Sequence, residues 1–559
     1  IFIPGLKEDT VYKYEVKFKG QMTALKADPY AFEAELRPNN ASIVRDIDGY
    51  EWEDEEWCNL LKDKDMKSEA MAIYELHLGS FMKPTDGRVF YTYRELAPKV
   101  IEYVKDMNYT HIELLPIMEH PFDASWGYQV TGYYAPTSRY GGATDFKYFI
   151  DECHKADIGV IIDWVPAQFP KDAFGLAYFD GTHLYNHADK RQGECVELGT
   201  LLYNYGRPEV KNFLIANALF WAKEYHVDGI RMGIIPSMLY LDYGKKPGEW
   251  ISNMYGGNEN LEAIEFIKHT NSIFKKMNLP TMLMAQEPTA WPRVTGDVEK
   301  NSLGFDFKWN TGWMNDFIEF MKFDPIYRKA HYDELIFSMI YAYSENFLLA
   351  VSHDEVVHGQ GSMIGKMPGT TSWLRFANLR ATYGFMYMHP GKKLLFMGQD
   401  FGQYNEWSEE QGLPWDVLRY DEHKCMQNYI RDLNALYMNE KALYELDYDT
   451  EGFEWINNIS ADETIVVFTR KDADGKLLVI VTNFTPVERL NYRIGVPFEG
   501  KYKEIFNSDS TQYGGKGICN PKLLDSEAEE WDDRANSLVV NVPPLGIAVF
   551  KYLPKQIKK

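Results

Sequence analysis

Short apolar runs alternate with longer amphipathic stretches between about residues 70 and 440, and this alternation sets the fold class. Each run has the length of a buried strand and ends in polar, Gly or Pro residues. The predicted strands are 71–78, 111–116, 159–165, 229–235, 281–285, 347–352 and 393–397, and the first predicted helices are 93–107 and 146–156. Repeated β/α units of this size predict an α/β fold, a (β/α)8 TIM barrel with its chemistry at the carboxyl ends of the strands.

The sequence predicts β structure in the two regions that flank the barrel. Residues 1–65 alternate over 11–18 and end in an acidic connector over 46–56, which predicts the end of a small β-sandwich and linker. Because Ile1 already stands in a predicted strand, we expect that the native start is missing and the sandwich truncated. Residues 66–440 are the predicted barrel. Residues 441–559 form a predicted all-β domain, with strands at 464–469 and 477–483 and a last stretch, 537–552, broken by prolines.

Charge and cysteine usage exclude several function classes. The chain has 559 residues, with 59 Lys and Arg against 82 Asp and Glu, so its net charge is −23. Such a chain repels nucleic acid and anionic membranes, and it contains no apolar run of the ~18 residues that a membrane span needs. The five cysteines are widely spaced and form no CxxC pair, so neither a disulfide framework nor a structural zinc site is predicted. A reducing, cytoplasmic location is expected.

Two apparent motifs fail on their spacing. His353 and His358 are five residues apart, whereas a zinc helix needs histidines four apart. The stretch 359–366 resembles a phosphate loop, but its glycines are misplaced and Met367 stands where Ser or Thr would bind magnesium. Neither a metal site nor a nucleotide site is predicted here.

The remaining candidate residues follow predicted strands. They occupy 119–120, 126–129, 163–168, Arg231, 286–287 and 353–354. Any one of these is adequately explained as a solvated loop residue, but several converging on one barrel rim predict a functional site.

The segments around these residues contain long, specific sequence motifs. They are ADPYA at 27–31, YELHLGS at 74–80, EHPF at 119–122, WGYQVTGY at 126–133, YGRPEV at 205–210, GGNEN at 256–260, FKWN at 307–310 and SHDEVVHG at 352–359. In these motifs and their order, the chain closely resembles the bacterial glycogen branching enzymes of the α-amylase superfamily. The resemblance implies a leading carbohydrate-binding-type β-sandwich, a catalytic barrel and a C-terminal β-sandwich. It also implies cleavage of an α-1,4 glucan (glycogen, amylose or maltooligosaccharide) and transfer of the cut chain to a 6-hydroxyl, with no cofactor and no metal.

The chain departs from the family at the two positions that carry the chemistry. The family's nucleophile is an Asp two residues after the Arg of the fourth strand, where this chain has Gly233. The family's acid/base Glu follows an Ala at the end of the fifth strand, where this chain has Gln286. Regular strand alternation predicts that the neighbouring carboxylates, Glu287 and Asp228, point away from the site.

The resemblance also assigns the retained residues. Asp354 matches the family's third carboxylate, and Tyr128, Asp163, Arg231 and His353 match its sugar-binding residues. Gln168 stands where the family has a His. Trp126 and Trp291 are candidate sugar-stacking platforms, although core packing is the more common role of a single Trp.

The sequence thus predicts a homologue that binds α-glucan but is catalytically dead or severely impaired. Two alternatives stay open. One is a working transferase, in which the two positions are misassigned or another carboxylate enters from a loop. The other is a non-enzymatic scaffold that modulates other glycogen-metabolism enzymes.

Overall fold

The computed structural model describes residues 3–20 and 22–554. Eight parallel strands close into a barrel, which confirms the predicted fold class. We number them β1 to β8 in chain order: Ala72–Leu76, His111–Leu114, Gly159–Trp164, Gly229–Met232, Met282–Ala285, Phe307–Trp309, Phe347–Val351 and Lys392–Phe396. Each strand pairs with the next and β8 pairs with β1, so the barrel has no open edge.

Strand alternation decides which side chains enter the barrel. Ile73, Ile161 and Met284 pack together in its interior with other apolar residues from the remaining strands. Side chains two residues apart share a face of a strand. The same interior face therefore carries Glu75, Asp163 and Gln286 at or just beyond the carboxyl ends of β1, β3 and β5.

Helices cover the outside of the barrel. The longer ones are Tyr93–Asp106, Ala143–Lys155, Pro208–Glu224, Leu261–Lys276, Thr311–Lys322, Ser372–Met388 and Asp421–Asn439. The first two confirm the helices predicted at 93–107 and 146–156. Shorter helices span Glu55–Lys62, Leu78–Phe81, Lys190–Gly193, Ile235–Leu239, Tyr332–Ile336 and Met363–Lys366. The apolar faces of the longer helices join the outer faces of the strands in one large core.

One barrel strand was missed by the sequence analysis, and the strand predicted over 229–235 is too long. The sixth barrel strand, Phe307–Trp309, was not predicted, because three residues are too few for a recognisable apolar run and pairing with β5 and β7 orders them. The strand predicted over 229–235 ends at Met232. Ile234 adopts a left-handed backbone with φ 59°, and a helix starts at Ile235 with Pro236 in its first turn. Proline cannot donate to a strand ladder but suits the start of a helix, so Gly233 lies just past the strand.

The C-terminal flanking region is β structure, as predicted, and the leading region has short strands followed by the helix Glu55–Lys62. The leading strands are Val11–Tyr12, Tyr14–Lys17, Thr23–Lys26, Glu33–Ala34 and Ser42–Ile43. The C-terminal strands are Phe453–Asn457, Ile465–Lys471, Leu477–Asn483, Arg489–Val496, Lys501–Asn507, Leu524–Asp525, Asn536–Val542 and Gly546–Leu553. A six-stranded and a two-stranded C-terminal sheet enclose a second core. The domain boundaries after 65 and 440 stay predictions. None of the helices within 3–20 and 22–554 has the length and hydropathy of a membrane span.

Candidate active site

A buried guanidinium organises the carboxyl end of the barrel. Nη1 of Arg231, on β4, donates to Oδ2 of Asp163 on β3 at 2.6 Å and to the Tyr128 hydroxyl at 3.0 Å. The Tyr128 hydroxyl also donates to Asp163 at 2.5 Å. The guanidinium carbon lies 4.1 Å from the centre of the Trp309 ring, a cation–π contact. Burial alone would lower the pKa of Arg231, but Asp163, Tyr128, Glu113 and Asp354 together outweigh it and raise that pKa above its ordinary value.

A second set of polar contacts, centred on His353, lies beside the contacts of Arg231. Nδ1 of His353 lies 2.5 Å from Oε1 of Glu75, and its Nε2 lies 3.3 Å from Oδ1 of Asp354. Burial alone would lower the pKa of His353, but the two carboxylates raise it to about 9. The raised pKa favours the imidazolium at neutral pH, in which Nδ1 donates to Glu75 and the positive charge faces Asp354. Asp354 is the solvent-facing member, with 47% of its side chain exposed.

Gly233 and Gln286 stand at the centre of this arrangement. An ideal Cβ on Gly233 would lie 3.2 Å from Nη1 of Arg231 and 3.6 Å from Oε1 of Gln286. A side chain at 233 would therefore point into the polar cluster. Gln286 donates from Nε2 to Oδ2 of Asp354 at 2.7 Å. Among the described residues, Nε and Nη2 of Arg231 find no hydrogen-bond partner.

The neighbouring carboxylates are held elsewhere. Glu287 is fully buried, and its carboxylate accepts from Lys308 Nζ at 3.0 Å and from the Thr289 backbone N–H at 2.9 Å. Asp228 precedes β4, at the opposite end of the barrel, and bonds His154 and Trp57. These contacts are the ones expected for side chains that point away from the site.

Three other predicted residues have different surroundings. The Gln168 side chain is buried and accepts from the Thr200 hydroxyl at 2.6 Å, within a small sheet beyond β3. Trp126 lies at the site, since its ring stands edge-on to His353 and stacks on His358 at 5.1 Å. Trp291 instead packs edge-on against Tyr240 and borders a separate surface groove. The structure thus brings Trp126, but not Trp291, into direct contact with the cluster.

Three carboxyl groups were not predicted as part of the site. Glu75 anchors His353, and Glu113 of β2 lies in register with it inside the barrel. Burial, reinforced by Asp163 and Glu75, raises the pKa of Glu113 well above its ordinary value. Burial and Asp354 raise the pKa of Glu355 to about 7, although Lys366 opposes them. A charged residue inside a continuous buried strand was the available signal for Glu75 and Glu113.

The comparisons with family models agree with the fold. Residues 96–187 match the alpha amylase catalytic domain, and residues 455–552 match the alpha amylase C-terminal all-beta domain. A putative alpha amylase from Salmonella typhimurium superposes with a TM-score of 0.70 at 17% identity, over 99% of this chain and 92% of that one. A pullulanase from Paenibacillus barengoltzii, solved with maltotetraose, gives 0.70 at 18% identity over 97% and 86%.

Curated relatives are far more similar in sequence. The 1,4-alpha-glucan branching enzyme GlgB of Rubrobacter xylanophilus is 50% identical over 558 residues, which cover 99% of this chain and 77% of the relative. The GlgB of Halothermothrix orenii is 51% identical over 553 residues, which cover 99% and 87%. Such identity over nearly the whole chain shows that the protein belongs to the 1,4-alpha-glucan branching enzyme family.

Proposed function

We propose that this chain binds α-1,4 glucans at the carboxyl end of its barrel but has lost most or all of the branching reaction. The observation that carries the proposal is position 233. It faces Arg231 and Gln286 and has no side chain. A retaining transfer needs a carboxylate there to attack the anomeric carbon.

The proton-transfer partner is also substituted. A retaining site needs a second carboxyl group about 5–5.5 Å from the first, which protonates the leaving oxygen and then deprotonates the acceptor. The Gln286 amide can hydrogen-bond a sugar oxygen but has no proton to give at neutral pH. Asp354 remains, but its carboxylate accepts a hydrogen bond from Gln286 and forms an ion pair with His353 at 3.3 Å. Loss of such groups commonly costs several powers of ten in rate.

Binding rests on groups that these substitutions leave in place. Tyr128 and Asp163 are held by the buried Arg231, and Asp354 by His353. Such fixed donors and acceptors suit sugar hydroxyls, and Trp126 offers an aromatic face beside them. Retention of the arrangement without the reacting carboxylates supports binding of α-glucan rather than its rearrangement.

The first experiment measures binding and chemistry together. The chain is run in native gels containing amylose or glycogen, and α-1,6 linkages formed from amylose are counted in parallel. We expect retarded migration in the polysaccharide gels and no branch formation above a protein-free control. Ready appearance of branches contradicts the proposed loss of chemistry, and unretarded migration contradicts the proposed binding.

The second experiment restores the two side chains. Gly233→Asp with Gln286→Glu should raise branching by about a thousandfold or more, whereas either change alone should raise it little, because the two groups act as one catalytic unit. The new Cβ at 233 meets Arg231 Nη1 at 3.2 Å, so the guanidinium must shift by a few tenths of an ångström. Gly233→Asn with Gln286→Glu is the matched control, because it adds the same bulk without the nucleophile. Equal activity in the control and the double variant would contradict the proposed role of Gly233.

For the alternative of a working transferase, Glu355 is a structural candidate for the entering carboxyl group. Glu355 adjoins Asp354, and its raised pKa suits proton exchange near neutrality. If the unaltered chain forms branches, Glu355→Gln distinguishes the cases, since only a catalytic Glu355 would make that activity disappear.

A reducing cytosol is the compartment that we propose, because all five cysteines are free.

A further inference from the structure

A cluster of metal-ligating side chains lies at the opposite end of the barrel from the candidate active site. Asp54 and Cys58 belong to the segment that leads into the barrel, and His226 follows the helix Pro208–Glu224. Their ligand atoms lie within 4.8 Å of one another. We propose that Asp54, Cys58 and His226 form a zinc site that ties the leading segment to the barrel.

The distances suit a tetrahedral ion. Oδ2 of Asp54 lies 2.8 Å from Nδ1 of His226 and 3.5 Å from Sγ of Cys58, and Sγ lies 4.0 Å from Nδ1. Zinc bonds of about 2.0–2.3 Å in a tetrahedron set the ligand atoms about 3.3–3.6 Å apart. The distance between the two ligand atoms of each pair therefore needs to change by only ~0.5 Å or less to accommodate the ion.

Local structure places the three atoms together. Asp54 precedes the helix Glu55–Lys62, and Cys58 stands four residues later, so both side chains lie on one face. The Asp54 side chain does not cap the helix and is directed to the histidines instead. His226 has a left-handed backbone with φ 51°, and Trp52 stacks on its ring at 4.0 Å, which fixes the direction of Nδ1. A metal ion can reach the cluster, because 28% of the His226 side chain is exposed.

A second layer of contacts holds the cluster in place. Nδ1 of His154 donates to Oδ2 of Asp54 at 2.8 Å, and its Nε2 lies 2.9 Å from Asp228. Trp57, in the same short helix as Cys58, donates from Nε1 to Asp228 at 2.8 Å. Partners of this kind orient first-layer ligands in metal sites.

The donor set selects zinc. One thiolate, one imidazole and one carboxylate are the ligands that Zn²⁺ takes, and a water completes the tetrahedron. On binding, the Cys58 thiol releases its proton to solvent and Sγ bonds the ion. Neutral His226 binds through Nδ1 with its proton on Nε2. The two ligand charges balance the charge of the ion.

The test uses the whole chain with Zn²⁺ and Co²⁺ as probes. Co²⁺ should bind with a stoichiometry of one and show tetrahedral d–d bands and a thiolate charge-transfer band, both displaced by Zn²⁺. Zn²⁺ should also raise the melting temperature in proportion to the logarithm of its concentration. Cys58→Ser and His226→Gln should each weaken binding at least tenfold and abolish the thermal shift, whereas Cys425→Ser should change neither.

Several outcomes would overturn the site. They are the absence of stoichiometric binding, binding that survives in Cys58→Ser, or a Co²⁺ spectrum without a thiolate band. Cys58→Ser keeps the size of the side chain, so it carries the test if His226→Gln fails to fold. Glucan retention is measured at the other end of the barrel, so its failure and the failure of the zinc site are distinguishable.

Discussion

At the scale of single residues, the Arg231 guanidinium lies beside Gly233, a position without a side chain. A buried guanidinium needs several acceptors, and the cluster satisfies only Nη1. A carboxylate at 233 would face it directly, since the Cβ direction at that position leads to Nη1. Arg231 keeps its ion pair with Asp163, and a carboxylate at 233 would add a further acceptor on the Nη1 side of the guanidinium.

Tyr128→Phe should weaken the cluster and glucan binding together. The hydroxyl contacts Asp163, Arg231 and His353, so its loss leaves these buried polar groups with fewer hydrogen-bond partners. We expect a loss of about 1–3 kcal/mol in stability and several-fold weaker retention by amylose. Thermal melting and affinity gels measure the two effects. The exposed Tyr327→Phe is the control, and equal behaviour of the two variants would show that the Tyr128 hydroxyl contributes nothing.

His353 should give the fold a pH dependence on the alkaline side. Its pKa is raised from an ordinary 6.5 to about 9 by Glu75 and Asp354 against the effect of burial. The stabilisation is complete below about pH 6.5, decreases as the pH rises toward 9 and is lost above it. The melting temperature of the chain should therefore approach that of His353→Gln between pH 7 and 9.5. A constant difference between the two proteins over that range would refute the assignment.

At the scale of secondary-structure elements, side-chain caps decide where several barrel helices begin. Side-chain oxygens of Thr92, Asn260, Asn310 and Thr371 accept from the backbone N–H three residues later. At Thr92 the contact is reciprocal, because Glu95 Oε2 accepts from the Thr92 backbone N–H at 2.8 Å. This capping box starts the helix Tyr93–Asp106 between β1 and β2.

Thr92→Ala should lower stability by about 1 kcal/mol, because it removes the side-chain acceptor of the Glu95 backbone N–H, which is then left with the Thr92 carbonyl. Thr92→Ser keeps the oxygen and should melt within about a degree of the unaltered chain. The melting temperature by circular dichroism checks both variants. A Ser variant as unstable as the Ala variant would point to the methyl group rather than the cap.

At the scale of the whole molecule, a buried charge network joins the barrel to the C-terminal domain. Asp447 pairs with Lys392 of β8 at 3.2 Å and with Arg470 of the strand Ile465–Lys471 at 2.7 Å, and all three side chains are fully buried. Arg470 Nη1 also donates to the Met388 carbonyl at 2.8 Å. Although burial opposes its charge, the two cations hold the pKa of Asp447 below its usual value.

Arg470→Met should destabilise this junction by about 3–5 kcal/mol, because it leaves Asp447 and the carbonyls of the junction with fewer partners. Calorimetry should show a transition that is lower and broader than that of the unaltered chain, or one that splits into two. Lys471→Met is the matched control on the same strand, since its ion pair with Glu451 is exposed and contributes little. Equal melting of the two variants would refute a coupling role for Arg470.

The sequence by itself determined the barrel and the C-terminal β domain, and it led to the prediction that Gly233 and Gln286 replace catalytic carboxylates. These predictions depend on local periodicity and on continuous sequence motifs such as SHDEVVHG, which are recognisable without knowing any distance between residues. Tertiary structure alone decided that β4 ends at Met232, that three residues serve as β6, and that Glu75 and Glu113 line the site. It also joined His226 to Asp54 and Cys58. Barrel closure creates these relations between distant segments, and no local pattern records which distant residues will meet.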